Sequence, residues 1–392
     1  MLRGTVAFLV LVAFAVLGAE LRGALGRRGL RAPAMEGISF LAVGFILGGS
    51  GLGLFPENLL AAMRVVVLFG LAWIGFVFGV QIELRIIRRL ARWQRWVGWL
   101  TPLALGVPVA VGGLVWGLDP ALSLAAGAIA TASSPSSLEG LARGRQVVDR
   151  GAVRLLKLVM AFAGMPAVAM FAVAAAMASP LTVSGGVTVS TIELVVFAVA
   201  IGMLLGYALV VLSRGVRDHI PLLTLVVGAM CLAAGASAVL GLNALPAAAC
   251  AGAVLVNRGV FPHRMLRVAH SLERPMLVAL LVLVGASWGG ASFSWEIFVL
   301  MTAVRTAGAR FAGAVLVRVA GRAGVATRTP GLGFGLVPQG ELALGLLVAI
   351  VSFPAEHRGI LEAVVAAILV NNVVGGLWMR RRLLISADEA SP

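Results

Sequence analysis

The chain is predicted to be an all-α polytopic membrane protein, and three observations carry that prediction. Sixty per cent of its 392 residues are hydrophobic and only 12% are charged. Apolar stretches long enough to cross a bilayer follow one another along its whole length, thirteen in all. The basic residues fall almost entirely in alternate connections. In lipid, only helices and closed barrels satisfy their own backbone polar groups.

The predicted spans cover residues 4–21, 35–54, 61–82, 97–117, 120–140, 153–178, 188–212, 219–240, 243–257, 273–290, 294–317, 330–353 and 359–379, with ends placed to about three residues. All 31 basic residues except Arg3, Arg64, Arg305, Arg310 and Arg358 follow odd-numbered spans. Positive loops stay cytoplasmic, which puts the N-terminus outside and the C-terminus inside. The expected location is the inner membrane of a bacterium. The net charge of +15 thus reports topology; no nucleic-acid partner is expected, since no RNA- or DNA-binding motif is present.

Taken in order, the first span has a rival reading as a signal peptide, with Arg3, an apolar core from Thr5 to Leu17 and the small pair Gly18-Ala19. Cleavage there would leave Arg22 to Arg31 starting outside, against the charge rule, so a transmembrane span is preferred. Between the third and fourth spans, Arg85 to Trp99 mixes Arg and Trp at helical spacing and predicts an interfacial, lipid-anchoring helix.

The fifth span is interrupted by Thr131-Ala132-Ser133-Ser134-Pro135-Ser136-Ser137. Pro135 lacks an amide proton and clashes with the preceding turn, while the hydroxyls compete for the freed backbone groups. The twelfth is interrupted by Gly335-Leu336-Val337-Pro338-Gln339-Gly340-Glu341. Being odd and even in order, the two run in opposite directions. An antiparallel pair of interrupted helices, one in each half, predicts an inverted repeat with two crossed broken helices around a transport site. Two ordinary kinked helices are the plainer alternative, and the density of polar groups at both breaks argues against it.

Short stretches along the chain resemble the monovalent cation:proton antiporter (sodium/proton exchanger) superfamily. Met35 to Gly49 resembles its second helix and Leu68 to Glu83 its third. Thr131 to Pro135 is similar to its first broken helix, and Gly335 to Leu344 to its second. Leu272-Glu273-Arg274-Pro275 with Leu283 to Ala286 resembles a later flanking helix, and Leu369 to Asn372 with Arg380 to Arg382 the last. The resemblance implies a core domain at about 97–178 and 294–379, a scaffold at about 1–96 and 188–290, homodimerisation and alternating access.

The chain departs from the family at its acidic pair. In the helix after the first break, those positions hold Ala163 and Gly164, and no carboxylate lies in that span. A cation needs oxygen ligands at mid-membrane, and coupling needs a titrating group. Glu341 becomes the candidate coupling carboxylate, and Arg305 or Arg310 its expected ion-pair partner. Thr131, Ser133, Ser134, Pro135, Pro338, Gln339 and Gly340 are the candidate substrate-binding positions. Asn371 and Asn372 are assigned to bonding between helices, and Arg64 and Lys157 to snorkelling.

Three functions follow. The first is antiport of Na⁺ or K⁺ against protons. The second is transport of another solute, including an anion, since the core keeps its arginines without the aspartates. The third is a transport-inactive homologue acting as a sensor or partner subunit. Enzymatic chemistry is disfavoured, because no nucleophile–base pair is present. No cofactor or metal is expected: Cys231 and Cys250 read as lone thiols buried within spans, and the four histidines have no ligand spacing.

Overall fold

A computed structural model describes residues 33–48, 52–55, 62–133, 138, 146–147, 149–178, 182–183, 187–216, 218–259, 262–287, 293–325, 327, 329–353 and 360–385. The predicted first span, Ser134, Pro135 and His357 lie outside them. Among the described residues, eight helices are long and apolar enough to cross a membrane, and two more apolar helices are shorter.

In chain order the helices are α1 (Pro33–Leu47), α2 (Arg64–Val80), α3 (Leu84–Arg89), α4 (Arg92–Val115), α5 (Pro120–Thr131), α6 (Arg150–Ala178) and α7 (Thr191–Ser213). They continue as α8 (His219–Val239), α9 (Ala244–Arg258), α10 (Pro262–Ala286), α11 (Trp295–Val299) and α12 (Arg305–Arg322). The last two are α13 (Glu341–Ala349) and α14 (Leu361–Arg382). A π-turn, Leu300–Val304, joins α11 to α12, and a 3₁₀ segment, Leu332–Leu336, precedes α13. A second 3₁₀ segment, Ile350–Ser352, follows α13, and there are four two-residue strands: Gln146–Val147 pairs antiparallel with Leu384–Ile385, and Thr182–Val183 with Val187–Thr188.

Helices α2 and α9 pack backbone to backbone. A β-carbon at Gly75 would lie 2.2 Å from the Leu245 carbonyl oxygen, and one at Gly79 would lie 2.0 Å from that of Ala249. The same small-residue contact joins α1 to α10, where Gly44 faces the Val282 carbonyl and Gly285 that of Leu41. In lipid no hydrophobic effect drives helices together, so close packing over glycine supplies the attraction. A second set of contacts holds α4 against α5 and α6, and α12 against α4 and the 3₁₀ segment.

Three expectations need correction. The tenth helix starts at Pro262 rather than near 273, because Met265, Val268 and Ala269 bury an amphipathic face whose polar side conceals it from hydropathy. The run Arg85 to Trp99 is not one interfacial helix. The backbone extends at Leu90, and Trp93 to Trp99 belong to α4, which opens with the Gln94 side chain accepting from the Ala91 amide at 2.9 Å. Cys231 is exposed on α8 rather than buried, and Cys250 is half-buried.

Candidate functional site

The first interruption is built from α5 upward. Asp119 caps its start, accepting from the Leu122 amide at 3.1 Å, and Pro120 occupies the first turn, where its missing amide proton does no harm. The helix stops at Thr131, and Ala132 is extended with ψ 123°. Carbonyls of the last turn are thereby left without helical donors. In the second interruption, the chain from Val337 to Gly340 is irregular before α13 begins at Glu341. Carbonyls at the end of the 3₁₀ segment face the same shortage.

Arg305 answers both. Its side chain is fully buried and donates from Nε to the Ala130 carbonyl at 2.8 Å. It also donates from Nη2 to Ala132 and Leu336, each at 3.1 Å, and from Nη1 to Val337. A planar five-donor fork suits four converging acceptors, which a lysine cannot serve in this way. The charge also sits where the two broken segments present the negative ends of their dipoles. The two interruptions therefore meet around one guanidinium.

The register that delivers Arg305 comes from the π-turn. The Arg305 amide donates to Leu300 and Thr302 rather than to Met301, as a regular helix would require. The vacated Met301 carbonyl accepts from Asn371 Nδ2 of α14 at 2.9 Å. Asn371 Nδ2 also donates to Gln339 Oε1 at 3.1 Å, and Gln339 Nε2 donates to the Ile129 carbonyl at 2.8 Å. The Gln339 amide donates to Asn372 Oδ1 at 2.7 Å. Ser133 Oγ donates to Leu336 at 2.8 Å, while Thr131 Oγ1 turns back to Gly127 at 2.9 Å. The two asparagines do bond neighbouring elements, as the sequence suggested, and they do so at the heart of the site. Sequence reasoning ranked them low; the available signal was two adjacent amides inside an apolar helix.

The structure does not join the predicted ion pair. Arg305 bonds main-chain carbonyls. Arg310 is five residues on, about 140° around the helix, so it cannot share that face. It is exposed, with its guanidinium carbon 5.8 Å from the centre of the Phe334 ring. Glu341 is half-buried at the start of α13, within electrostatic reach of His270 on α10. His270 Nδ1 in turn contacts Glu273 Oε2. Pro338 packs against Gly375 of α14, and Gly340 has the extended backbone that precedes α13.

The two positions at which the resemblance expects an acidic pair differ from each other. Ala163 is buried. Gly164 is half-buried beside open space, and the nearest atom to an added β-carbon is Leu342 Cδ2 at 3.8 Å. Lys157, Ala161 and Gly164 share one face of α6 by their spacing. Among the described residues, no group of three or more His, Cys, Asp or Glu side chains is arranged to hold a metal.

Comparison with known proteins agrees with this architecture. No curated protein matches the chain in sequence. Two structures of the sodium proton antiporter MjNhaP1 from Methanocaldococcus jannaschii share the fold. One, at pH 8, has a TM-score of 0.65 and 14% identity over 97% of this chain and 98% of that one. The other, from an electron microscopy map, has a TM-score of 0.59 and 15% identity over 95% and 96%. The family described as sodium/hydrogen exchanger, transmembrane, matches residues 8–384. With nearly the whole chain covered, the protein belongs to that family of membrane exchangers, which are transporters and not enzymes.

Proposed function

We propose that the protein exchanges a monovalent cation, Na⁺ or K⁺, for protons by alternating access, with Glu341 as the coupling carboxylate. One observation carries this reading: the space left open at Gly164 is bounded by Leu342, the residue next to Glu341. The carboxylate missing from α6 thus has a substitute at the start of the element facing it. A single carboxylate that binds either a proton or a cation is sufficient to couple their opposite movements.

Arg305 acts in this scheme as a fixed clamp and not as the counter-ion of Glu341. It keeps the ends of both interruptions together while the site is carried. Ser133 and Thr131 donate their protons to carbonyls, yet their oxygens retain lone pairs, as does the Gln339 oxygen. These are the neutral ligands a partly dehydrated cation requires. The moving core is assigned to residues 97–178 and 294–379, with the remainder up to 290 as a homodimeric scaffold. The N-terminus is placed outside and the C-terminus in the cytoplasm, in a bacterial inner membrane.

A second reading, anion transport, is favoured by one observation. Among the described residues, Asn372 Nδ2 is buried without a hydrogen-bond partner, and the hydrogen bonds of Arg305 go to main-chain carbonyls. Both are donors suited to an anion.

The test is proton flux in proteoliposomes containing a trapped pH dye, with Na⁺, K⁺ and Li⁺ and then Cl⁻ and small carboxylates added outside. Cation-driven flux that is abolished in folded Glu341→Gln establishes the proposal. Cation-driven flux that persists in the variant removes Glu341 from the mechanism. An anion response that survives the substitution selects the second reading. Silence towards every ion identifies a transport-inactive homologue.

A further inference from the structure

The start of α4 carries a second built feature, remote from the crossing. Arg92, Arg95, Trp96 and Trp99 lie three or four residues apart, so they share one helix face, and together they line a cavity of about 470 Å³. One wall is fixed by Trp99, which meets Phe162 of α6 edge-on with ring centres 6.2 Å apart. Arg95 Nε is buried and has no hydrogen-bond partner. Among the described residues, neither Arg92 nor Arg95 pairs with a carboxylate. A buried donor on a cation with no acceptor is an unmet demand for an anion.

What lies below the cavity identifies the anion's carrier. Leu100, Val107 and Val111 run along α4 on the side that begins at Trp96, and all are exposed. An exposed apolar stripe therefore runs along the membrane-spanning helix from the Trp96 edge of the charged cavity. A free anion has no use for such a stripe, whereas an acyl chain does. Tryptophans at this level suit the headgroup zone, where an apolar ring and a polar indole N–H are both satisfied.

We infer that Arg92, Arg95, Trp96 and Trp99 form a binding site for an anionic phospholipid, its phosphate between the two guanidiniums and an acyl chain along Leu100 to Val111. Arginine forks match phosphate oxygens in pairs, which gives the site a preference over zwitterionic lipid beyond simple charge. The site is set on the helix that flanks the first interruption. Gly106 of α4 packs on the Gly127 carbonyl and on Thr131, so a lipid at Arg95 is held on an element in direct contact with the transport core.

The experiment is native mass spectrometry of the delipidated full-length protein, titrated with phosphatidylglycerol, phosphatidylcholine or inorganic phosphate. Phosphatidylglycerol is expected to be retained about tenfold better than phosphatidylcholine. The Arg92→Gln/Arg95→Gln double variant should lose that preference. Arg92→Lys/Arg95→Lys should keep only part of it, because the charge remains without the fork. Arg85→Gln/Arg88→Gln removes equal charge from neighbouring α3 and should leave retention unchanged; an equal loss there would show generalised charge attraction and overturn the site. Equal retention of both lipids by the wild type, or unaltered preference in a monodisperse Arg92→Gln/Arg95→Gln protein, also overturns it. Inorganic phosphate binding as well as phosphatidylglycerol would overturn the lipid assignment.

Discussion

Around Arg305, most polar side chains close on one another: four carbonyls, Ser133, Gln339 and Asn371 form one buried network. A few residues further along the chain, Glu341 is half-buried within reach of His270, and its neighbour Leu342 borders the space at Gly164. The first region has the character of a joint and the second that of a binding surface. A buried network whose members mostly bond one another rigidifies, while a half-exposed carboxylate has access to solvent as well as to protein. On the proposed mechanism, the difference assigns stability and transport to separate residues within one short stretch of the site.

That division is open to attack by substitution. Arg305→Ala should have the largest effect. It removes the donor to four carbonyls, and each orphaned buried group costs about 1–3 kcal/mol, so loss of the monodisperse protein in detergent is expected. Glu341→Gln should instead abolish coupled flux with a melting temperature within a few degrees of wild type. Equal destabilisation by the two would erase the distinction. Asn371→Leu frees the Met301 carbonyl and Gln339 Oε1 and should destabilise by about 1–3 kcal/mol in thermal unfolding. Gly164→Asp sharpens the comparison from the other side. The space accepts a β-carbon, and glycine within a helix is itself unfavourable by about 0.5–1 kcal/mol, so the variant should fold. The added oxygens should lower the half-saturating cation concentration by about fivefold; no change would place the cation elsewhere. Asp149→Asn should matter least. Asp149 Oδ2 accepts from Thr327 and Thr329 hydroxyls at 2.7 and 2.8 Å, ahead of the second interruption, and weakening that contact should cost about 1 kcal/mol.

The helices were legible because apolar runs of this length have one physical explanation: described helices stand at twelve of the thirteen predicted positions, eight of them long and apolar enough to cross a membrane. Both interruptions were announced by proline, glycine and hydroxyl residues, and Arg305 by the cost of its burial. Its partners were not legible. A search for opposite charge leads to Glu341, whereas the acceptors are carbonyls that exist only because two helices end there. Arg310 was grouped with Arg305 by proximity in sequence, although helical geometry alone separates them. Asn371 escaped because its target, the Met301 carbonyl, is freed by a π-turn that no residue type announces.

That turn has a consequence for how such a site is inherited. It accommodates one residue more than a regular helix, and Arg305 follows it directly. Deleting any one codon from 300 to 304 would remove that extra residue and let the segment relax to α-helix with its two flanks still in register. The guanidinium would keep its direction towards the two interruptions, but the helix would no longer leave a carbonyl over for Asn371. In this protein descent of the site depends on chain length within a helix as well as on letters, and a lineage can lose the Asn371 contact by a length change that leaves Asn371 itself intact.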